Sequence, residues 1–429
     1  MTAAGTESWV TREFGIRIAA QASDSGYSAK QLVIPGLRRN PRRAHLLVST
    51  VLGKHLPVSP AEALSAADRL GDLVAEVLGE SAADATVLGF AETATGLGHC
   101  VAARLGAAGY LHSTRRRVPG AQIWGGFEEG HSHATSHTLM PSNAALLEGD
   151  SPLVLVDDEF STGATALGAI RALAGLSPRR TYVVASLVDL RDEAHHAAMT
   201  AAATELGIRI DSVSLAQGRI SLPDGVIERV CALPEPEFNP RAPRRGVVRR
   251  VELPWPPSVP DGGRHGFLAT DTAPFDDAVA QAANALRPLL DSARPMLVIG
   301  HEELMYLPLR LAGALEDHGL RAAFQSSTRS PAHVLDQPGY PLRRGFRFWA
   351  TEDGETEYRY LYNARWPWSD ASVVEAQIVL VVDSPADTAR LWADGGLVGV
   401  LASAGGDVVV AVLPGVDPRV LHDARRGHG

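Results

Sequence analysis

Residues 153–165 read LVLVDDEFSTGAT, and no other stretch limits the architecture of this chain so tightly. Leu153, Val154, Leu155 and Val156 form a short, unbroken apolar run, the pattern of a strand buried on both faces of a parallel sheet. Asp157 and Asp158 stand where that strand is expected to end. A turn of small and hydroxylated residues follows (Ser161, Thr162, Gly163, Ala164, Thr165), and an Ala/Leu-rich helical pattern starts near Thr165 and runs through Leu173. A strand that feeds such a turn and then a helix gathers backbone N–H groups at the helix start, where the dipole adds positive potential. The unit is therefore α/β in class and suited to an anion, with Gly163 allowing close approach of the backbone.

Two carboxylates beside an anion cradle repel the anion unless they face another part of the ligand. The vicinal hydroxyls of a ribose satisfy that condition, with a phosphate on C5 of the same sugar reaching residues 161–165. The order apolar run, two acids, hydroxyl-rich turn resembles the phosphoribosyl pyrophosphate (PRPP) motif of type I phosphoribosyltransferases, with Val156-Asp157-Asp158 and Ser161-Thr162-Gly163-Ala164-Thr165 in the diagnostic positions. The resemblance implies the type I fold, a mostly parallel sheet flanked by helices and covered by a hood. It also implies transfer of ribose 5-phosphate from PRPP to a base-like small molecule with release of pyrophosphate. Asp157 and Asp158 would then hold the ribose hydroxyls and favour the positive charge developing on the sugar. Mg2+ would be held mainly by PRPP itself, with Asp157 and Asp158 as the candidate protein ligands. A Walker-type phosphate loop is excluded: Gly53-Lys54 is followed by His55 and lacks the upstream glycine.

The remaining constraints are broad. A length of 429 residues accommodates two domains, and 45% hydrophobic with 21% charged residues is the composition of a globular protein. A net charge of −9 argues against a general nucleic-acid or membrane-surface binder. Cys100 and Cys231 supply neither a disulfide framework nor a metal site. No secretory pattern and no apolar run of membrane-spanning length is present, so a cytoplasmic location is expected.

Within a first domain, expected over residues 1–235, residues 31–60 form a hood candidate rich in cations (Arg38, Arg39, Arg42, Arg43, Lys54). Residues 61–79 have the spacing of an amphipathic helix. Thr86–Phe90 reads as a strand and Ala91–Gly98 as a small-residue loop that resembles the family's pyrophosphate loop. Ala94, Thr95, Gly96 and Lys54 are the pyrophosphate-binding candidates there, and Arg115, in the strand-like YLHSTRRR, is the basic residue expected against the same group. Residues 117–140 lose all pattern and carry several glycines, as a flexible catalytic loop does. His131, His133 and His137 lie within it; they invite a metal reading, while the family's use of oxygen-bound Mg2+ favours contact with the ligand, with His133 as the candidate acid or base. Thr181–Leu190, Arg209–Leu215 and Val226–Ala232 read as further strands, and Asp189-Leu190-Arg191-Asp192 as either base-recognising or a salt-bridge set.

Residues 236–262, dense in Pro and Arg, are expected to be a linker. Residues 263–429 begin a second α/β pattern, with strands at Met296–Gly300, Ile378–Asp383 and Val408–Val412. Thr328-Arg329-Ser330-Pro331 resembles the hallmark of the TRSP domain, found C-terminal to a phosphoribosyltransferase subfamily associated with bacterial tellurium-resistance gene clusters. That association implies a part in making a nucleoside-like metabolite. Glu302, Ser327, Thr328, Arg329 and Ser330 are candidates for a second ligand site; a capped turn accounts for them equally. Two rival readings stand beside the enzyme: a PRPP-sensing regulator without turnover, and a bifunctional enzyme whose TRSP domain modifies the nucleotide product. Type I enzymes are commonly dimers, so a homodimer is expected.

Overall fold

The computed structural model describes residues 7–21, 23, 25–116, 118, 121–128, 136–352, 354–368 and 375–426. Its strands, in chain order, are β1 (Arg17–Ala20), β2 (Val33–Leu37), β3 (His45–Ser49), β4 (Thr86–Gly89), β5 (Gly109–His112), β6 (Gly125–Glu128), β7 (Ser136–Leu139), β8 (Leu153–Phe160), β9 (Thr181–Asp189), β10 (Arg209–Ser221), β11 (Val248–Glu252), β12 (Phe267–Leu268), β13 (Met296–Gly300), β14 (Ala322–Ser326), β15 (Gly345–Trp349), β16 (Tyr358–Tyr362), β17 (Gln377–Asp383) and β18 (Val408–Leu413). They build a seven-stranded sheet in the order β1-β10-β9-β8-β4-β5-β12 and a five-stranded sheet in the order β11-β18-β17-β13-β14. In the first, β10, β9, β8, β4 and β5 run parallel and only the edges β1 and β12 are antiparallel. The second is parallel throughout.

The central strands are continuous apolar runs because helices cover both faces. Leu153 to Val156 of β8 and Tyr182 to Ala185 of β9 are buried. The helix Pro60–Leu78 begins with Pro60 in its first turn and buries Ala63, Ala66, Ala67, Leu70, Gly71 and Val74, one face at helical spacing. That face joins a core that runs on through Leu97 and Cys100 to Met305, Leu309, Ala312 and Phe324 of the second half.

Three short antiparallel pairs decorate the sheets: β2–β3, β6–β7 and β15–β16. The first lies in the expected hood segment, with its arginines in the connecting turn; the second lies in the expected flexible loop. The segment expected as a linker contributes β11 to the second sheet, and Phe267–Leu268, from beyond it, closes the first sheet as β12. Val226–Ala232, read as a strand, is instead the helix Val226–Cys231: Gly225 caps it in the left-handed region (φ 69°), and its buried residues, Val226 and Val230, are four apart. Among the described residues no helix is long and apolar enough to cross a membrane.

Candidate active site

Strands β4 and β8 are neighbours, yet the chain leaves β4 toward β5 and leaves β8 toward β9 and β10. This reversal of direction opens a crevice beyond their carboxyl ends, the place where open α/β sheets take ligands. The turn 161–165 and the loop 90–96 face each other across it, joined at their base by the Phe90 N–H bonded to the Val156 carbonyl (3.0 Å).

On the β8 side the strand runs on to Phe160 rather than ending at the acids, so Asp157, Asp158 and Glu159 form its half-buried final stretch. Burial, then the neighbouring Asp158 charge, push the Asp157 carboxyl well above the usual carboxylate range. Its Oδ1 accepts the Asp158 N–H at 2.9 Å. Glu159 was not legible as a site residue; it accepts a hydrogen bond from the Arg43 guanidinium at 2.7 Å, which carries one arginine of the β2–β3 turn to the acids. In the turn, Gly163 takes φ 75° and starts the helix Ala164–Leu176, and the Ala164 N–H donates to Thr162 Oγ1 at 3.3 Å. Ser161 is exposed and Thr162, Ala164 and Thr165 are half-buried. Behind the turn Arg191 is buried and grips Asp189 through two bonds of 2.9 and 2.6 Å, while Asp192 caps the helix Glu193–Leu206. The Asp189–Asp192 stretch is thus a structural ion pair and a cap.

On the β4 side Ala94, Thr95 and Gly96 are buried at the start of the helix Thr95–Leu105. The Lys54 ammonium donates to Thr93 Oγ1 at 2.8 Å, and the Ala91 N–H to Ser113 Oγ at 2.9 Å. Arg115 stands beyond β5, half-buried, with one guanidinium nitrogen 3.3 Å from His137 Nε2. Because an arginine only donates, Nε2 accepts, and the proton sits on Nδ1, which faces Ser113 Oγ at 2.7 Å. One relay therefore links loop, arginine and the β6–β7 hairpin. His137 is buried, stacked on Phe127 at 4.6 Å between ring centres. His131 and His133 lie outside the described residues.

The second-half candidates meet this same loop. Glu92, which the sequence reading passed over, is buried; its carboxylate accepts from the Thr328 hydroxyl and from the Arg329 N–H (2.9 and 3.1 Å). Ser327 Oγ accepts the Glu302 N–H at 3.0 Å, and Ser330 Oγ accepts from Arg38 at 2.6 Å. Glu302 receives Arg329 at 2.8 Å and Arg359 at 2.7 Å. Burial alone would raise its carboxyl, but Arg329, His301, Arg116 and Arg359 outweigh burial and hold it well below the usual range. His301, Glu302 and Glu352 offer ligand atoms within 4.8 Å of one another, yet these guanidinium groups already supply the positive charge a metal ion would bring.

Among curated proteins none matches this chain in sequence. Solved structures similar to it include adenine phosphoribosyl transferase from Trypanosoma brucei in complex with AMP, pyrophosphate and ribose-5-phosphate (14% identity, 49% of this chain and 86% of that one, TM-score 0.33). They also include the Saccharomyces cerevisiae adenine phosphoribosyltransferase (14%, 43% and 95%, 0.30) and that of Thermoanaerobacter pseudethanolicus (18%, 43% and 96%, 0.30). Residues 32–219 match the phosphoribosyl transferase family PRTase_2, and residues 261–401 match the TRSP domain that lies C-terminal to it. With the sheet, the crevice and both matches in that order, this chain belongs to the phosphoribosyl transferase family whose members carry a TRSP domain behind the transferase domain.

Proposed function

We propose that the chain transfers ribose 5-phosphate from PRPP to a base-like small molecule and releases pyrophosphate. The observation that carries this reading is the pairing, across one crevice, of the acid-tipped strand β8 and its hydroxyl-lined turn with the loop after β4. Residues 161–165 hold the 5-phosphate through hydroxyls and the helix start. Asp157 and Asp158 accept the ribose hydroxyls; a carboxyl already lifted by burial and by its neighbour gains from those donors. As the bond to pyrophosphate lengthens, positive charge grows on the sugar, and the two carboxylates lie where it develops. Ala94, Thr95, Gly96, Lys54 and Arg115 receive the leaving pyrophosphate.

The donor set suits Mg2+, since the half-buried Asp157 and Asp158 offer only oxygens, the ligand atoms this ion takes together with substrate oxygens and water. Bound with PRPP, the ion would neutralise charge on the departing group. Holding both halves of PRPP fixes the reacting carbon, so positioning and charge account for most of the acceleration.

Pyrophosphate release with PRPP, Mg2+ and a panel of purine and pyrimidine bases tests the reading. Base-dependent release is expected, and replacing both acids (Asp157→Asn with Asp158→Asn) should lower it by about 100-fold or more. PRPP binding without release from any base would favour a sensor; absence of PRPP binding would overturn the reading.

A further inference from the structure

The second sheet has a reversal point of its own. From β13 the chain steps to β14 on one side, then crosses to β17 and β18 on the other, so the crevice of this sheet lies beyond the ends of β13 and β17. His301, Glu302 and Glu303 follow β13, and Asp383 ends β17. In an open parallel sheet this is where a second substrate would sit. Here Arg116, from the transferase half, fills it: its side chain is 4% exposed, with the guanidinium 2.8 Å from Asp383, 2.7 Å from Glu352 and 3.9 Å from Glu302. Arg264 lies alongside, 3.1 Å from Asp383 and 3.4 Å from Glu303. A ligand entering the crevice would have to expel Arg116, leaving half-buried Glu352 without that partner and buried Asp383 with Arg264 alone, a loss that buried charge does not tolerate.

This rim also reaches the pyrophosphate side of the first crevice, through Glu303. The Glu303 carbonyl accepts Thr95 Oγ1 at 2.9 Å, while its carboxylate accepts Thr114 Oγ1 at 2.7 Å and the Arg115 N–H at 2.8 Å. A single residue thus ties the loop after β4 to the segment after β5. Thr328 and the Arg329 N–H hold Glu92 in that loop from the other direction.

From this arrangement we infer that the TRSP domain is a clamp on the pyrophosphate half of the active site, in which Glu303, Thr328 and Arg329 act as positioning residues and Arg116 occupies the place of a second substrate. The inference rests on the phosphoribosyl-transfer reading for what the clamped loop binds, but the clamping itself can be tested without it. The consequence for chemistry is preorganisation: donors aimed at a leaving group help only if they are already in place when charge arrives.

The test compares full-length Thr328→Val, which removes the hydroxyl at nearly constant shape, with Thr328→Ser, which restores it; Glu303→Gln serves as a second probe should the valine variant not fold. Amide hydrogen exchange over residues 91–96 and 113–116 reads the clamp with no ligand added. Faster exchange in Thr328→Val confined to these segments and near-native exchange in Thr328→Ser are expected, with a melting temperature lowered by a few degrees at most for the lost buried hydroxyl; unchanged exchange in both probes overturns the inference. Calorimetry in Mg2+ then reads the consequence. PRPP and inorganic pyrophosphate should bind about tenfold more weakly to Thr328→Val, while ribose 5-phosphate, held by residues 157–165, binds as before. Equal weakening of all three ligands would point to general damage and overturn it, as would two PRPP sites per wild-type chain. A wild-type chain that gives no heat with PRPP sinks the transfer reading alone, and the exchange result still decides the clamp.

Discussion

Asp261 is a single residue whose charge the fold works against. It is 8% exposed, and burial, offset by Arg264 and reinforced by Asp383, lifts its carboxyl to about 6. An unfolded aspartate loses its proton near 3.9, roughly two units lower, so between those values the native chain holds a proton that the unfolded chain has released. Stability therefore falls as pH rises through this window, and the penalty, up to about 3 kcal/mol, persists above it. His112 and His265 act in the opposite sense. Burial lowers each to about 4, so both are neutral in the fold, and their contribution is complete above about 6.5 and lost as pH drops. As pH falls from 7.5 to 4.5 these two histidines destabilise the fold while Asp261 stabilises it. Asp261→Asn should melt higher than wild type at pH 7.5, with the gap closing toward pH 4, so its acid loss is the steeper. Scanning calorimetry at the two pH values checks this; a variant that melts lower at pH 7.5 would show that the neutral form is not preferred.

At the scale of elements, the turn between β8 and the helix Ala164–Leu176 depends on Gly163 for two separate reasons. Its φ of 75° disfavours any side chain, and an added Cβ would lie 3.0 Å from Cδ of Arg191. That arginine cannot retreat easily, because Asp189 holds it bidentately. Gly106, which caps the helix Thr95–Leu105, provides the contrast, with φ 60° in the same left-handed region but nothing within 4 Å of an added Cβ. Gly106→Ala should cost only backbone strain, about 1 kcal/mol, whereas Gly163→Ala should cost about 2–3 kcal/mol and weaken PRPP binding several-fold. Urea melts of the two variants, with PRPP titrations, compare them; equal costs would remove the packing half of the argument. This turn was readable from the sequence because its signature (apolar run, acids, glycine, helix) is consecutive in the chain, whereas Arg191 and Asp189, which pack behind it, come from a later strand end and carried no such signal. The helix Pro60–Leu78 was readable for the same reason, its period being local. Val226–Cys231 was not, since six residues with scattered apolar positions satisfy either period. Glu92 and Glu159 were passed over because their meaning lies in distant partners. Glu92 meets Thr328, 236 residues away, and Glu159 meets Arg43, 116 residues away; no spacing rule reaches that far.

Across the whole molecule the two halves exchange elements rather than merely touch. Phe267–Leu268 closes the first sheet beside β5, and near the C-terminus Arg425 returns to Ser142, the Gly266 carbonyl and Asp271. One apolar core contains Val87, Leu97 and Cys100 of the first sheet's layers together with Met296, Leu309 and Phe324 of the second's. Independent domains joined by a linker melt in separate steps, but a shared core and a buried charge network that crosses the boundary couple the two sheets. A single calorimetric transition, with equal calorimetric and van't Hoff enthalpies, is therefore expected for the intact chain, and two resolved transitions would contradict the coupling. Arg116→Met sharpens the point. Removing the guanidinium leaves buried Asp383 and half-buried Glu352 against fewer cations, a loss of about 3–5 kcal/mol. That loss falls on the contact between the halves and not within either sheet, so the variant should melt in two steps where the wild type melts in one.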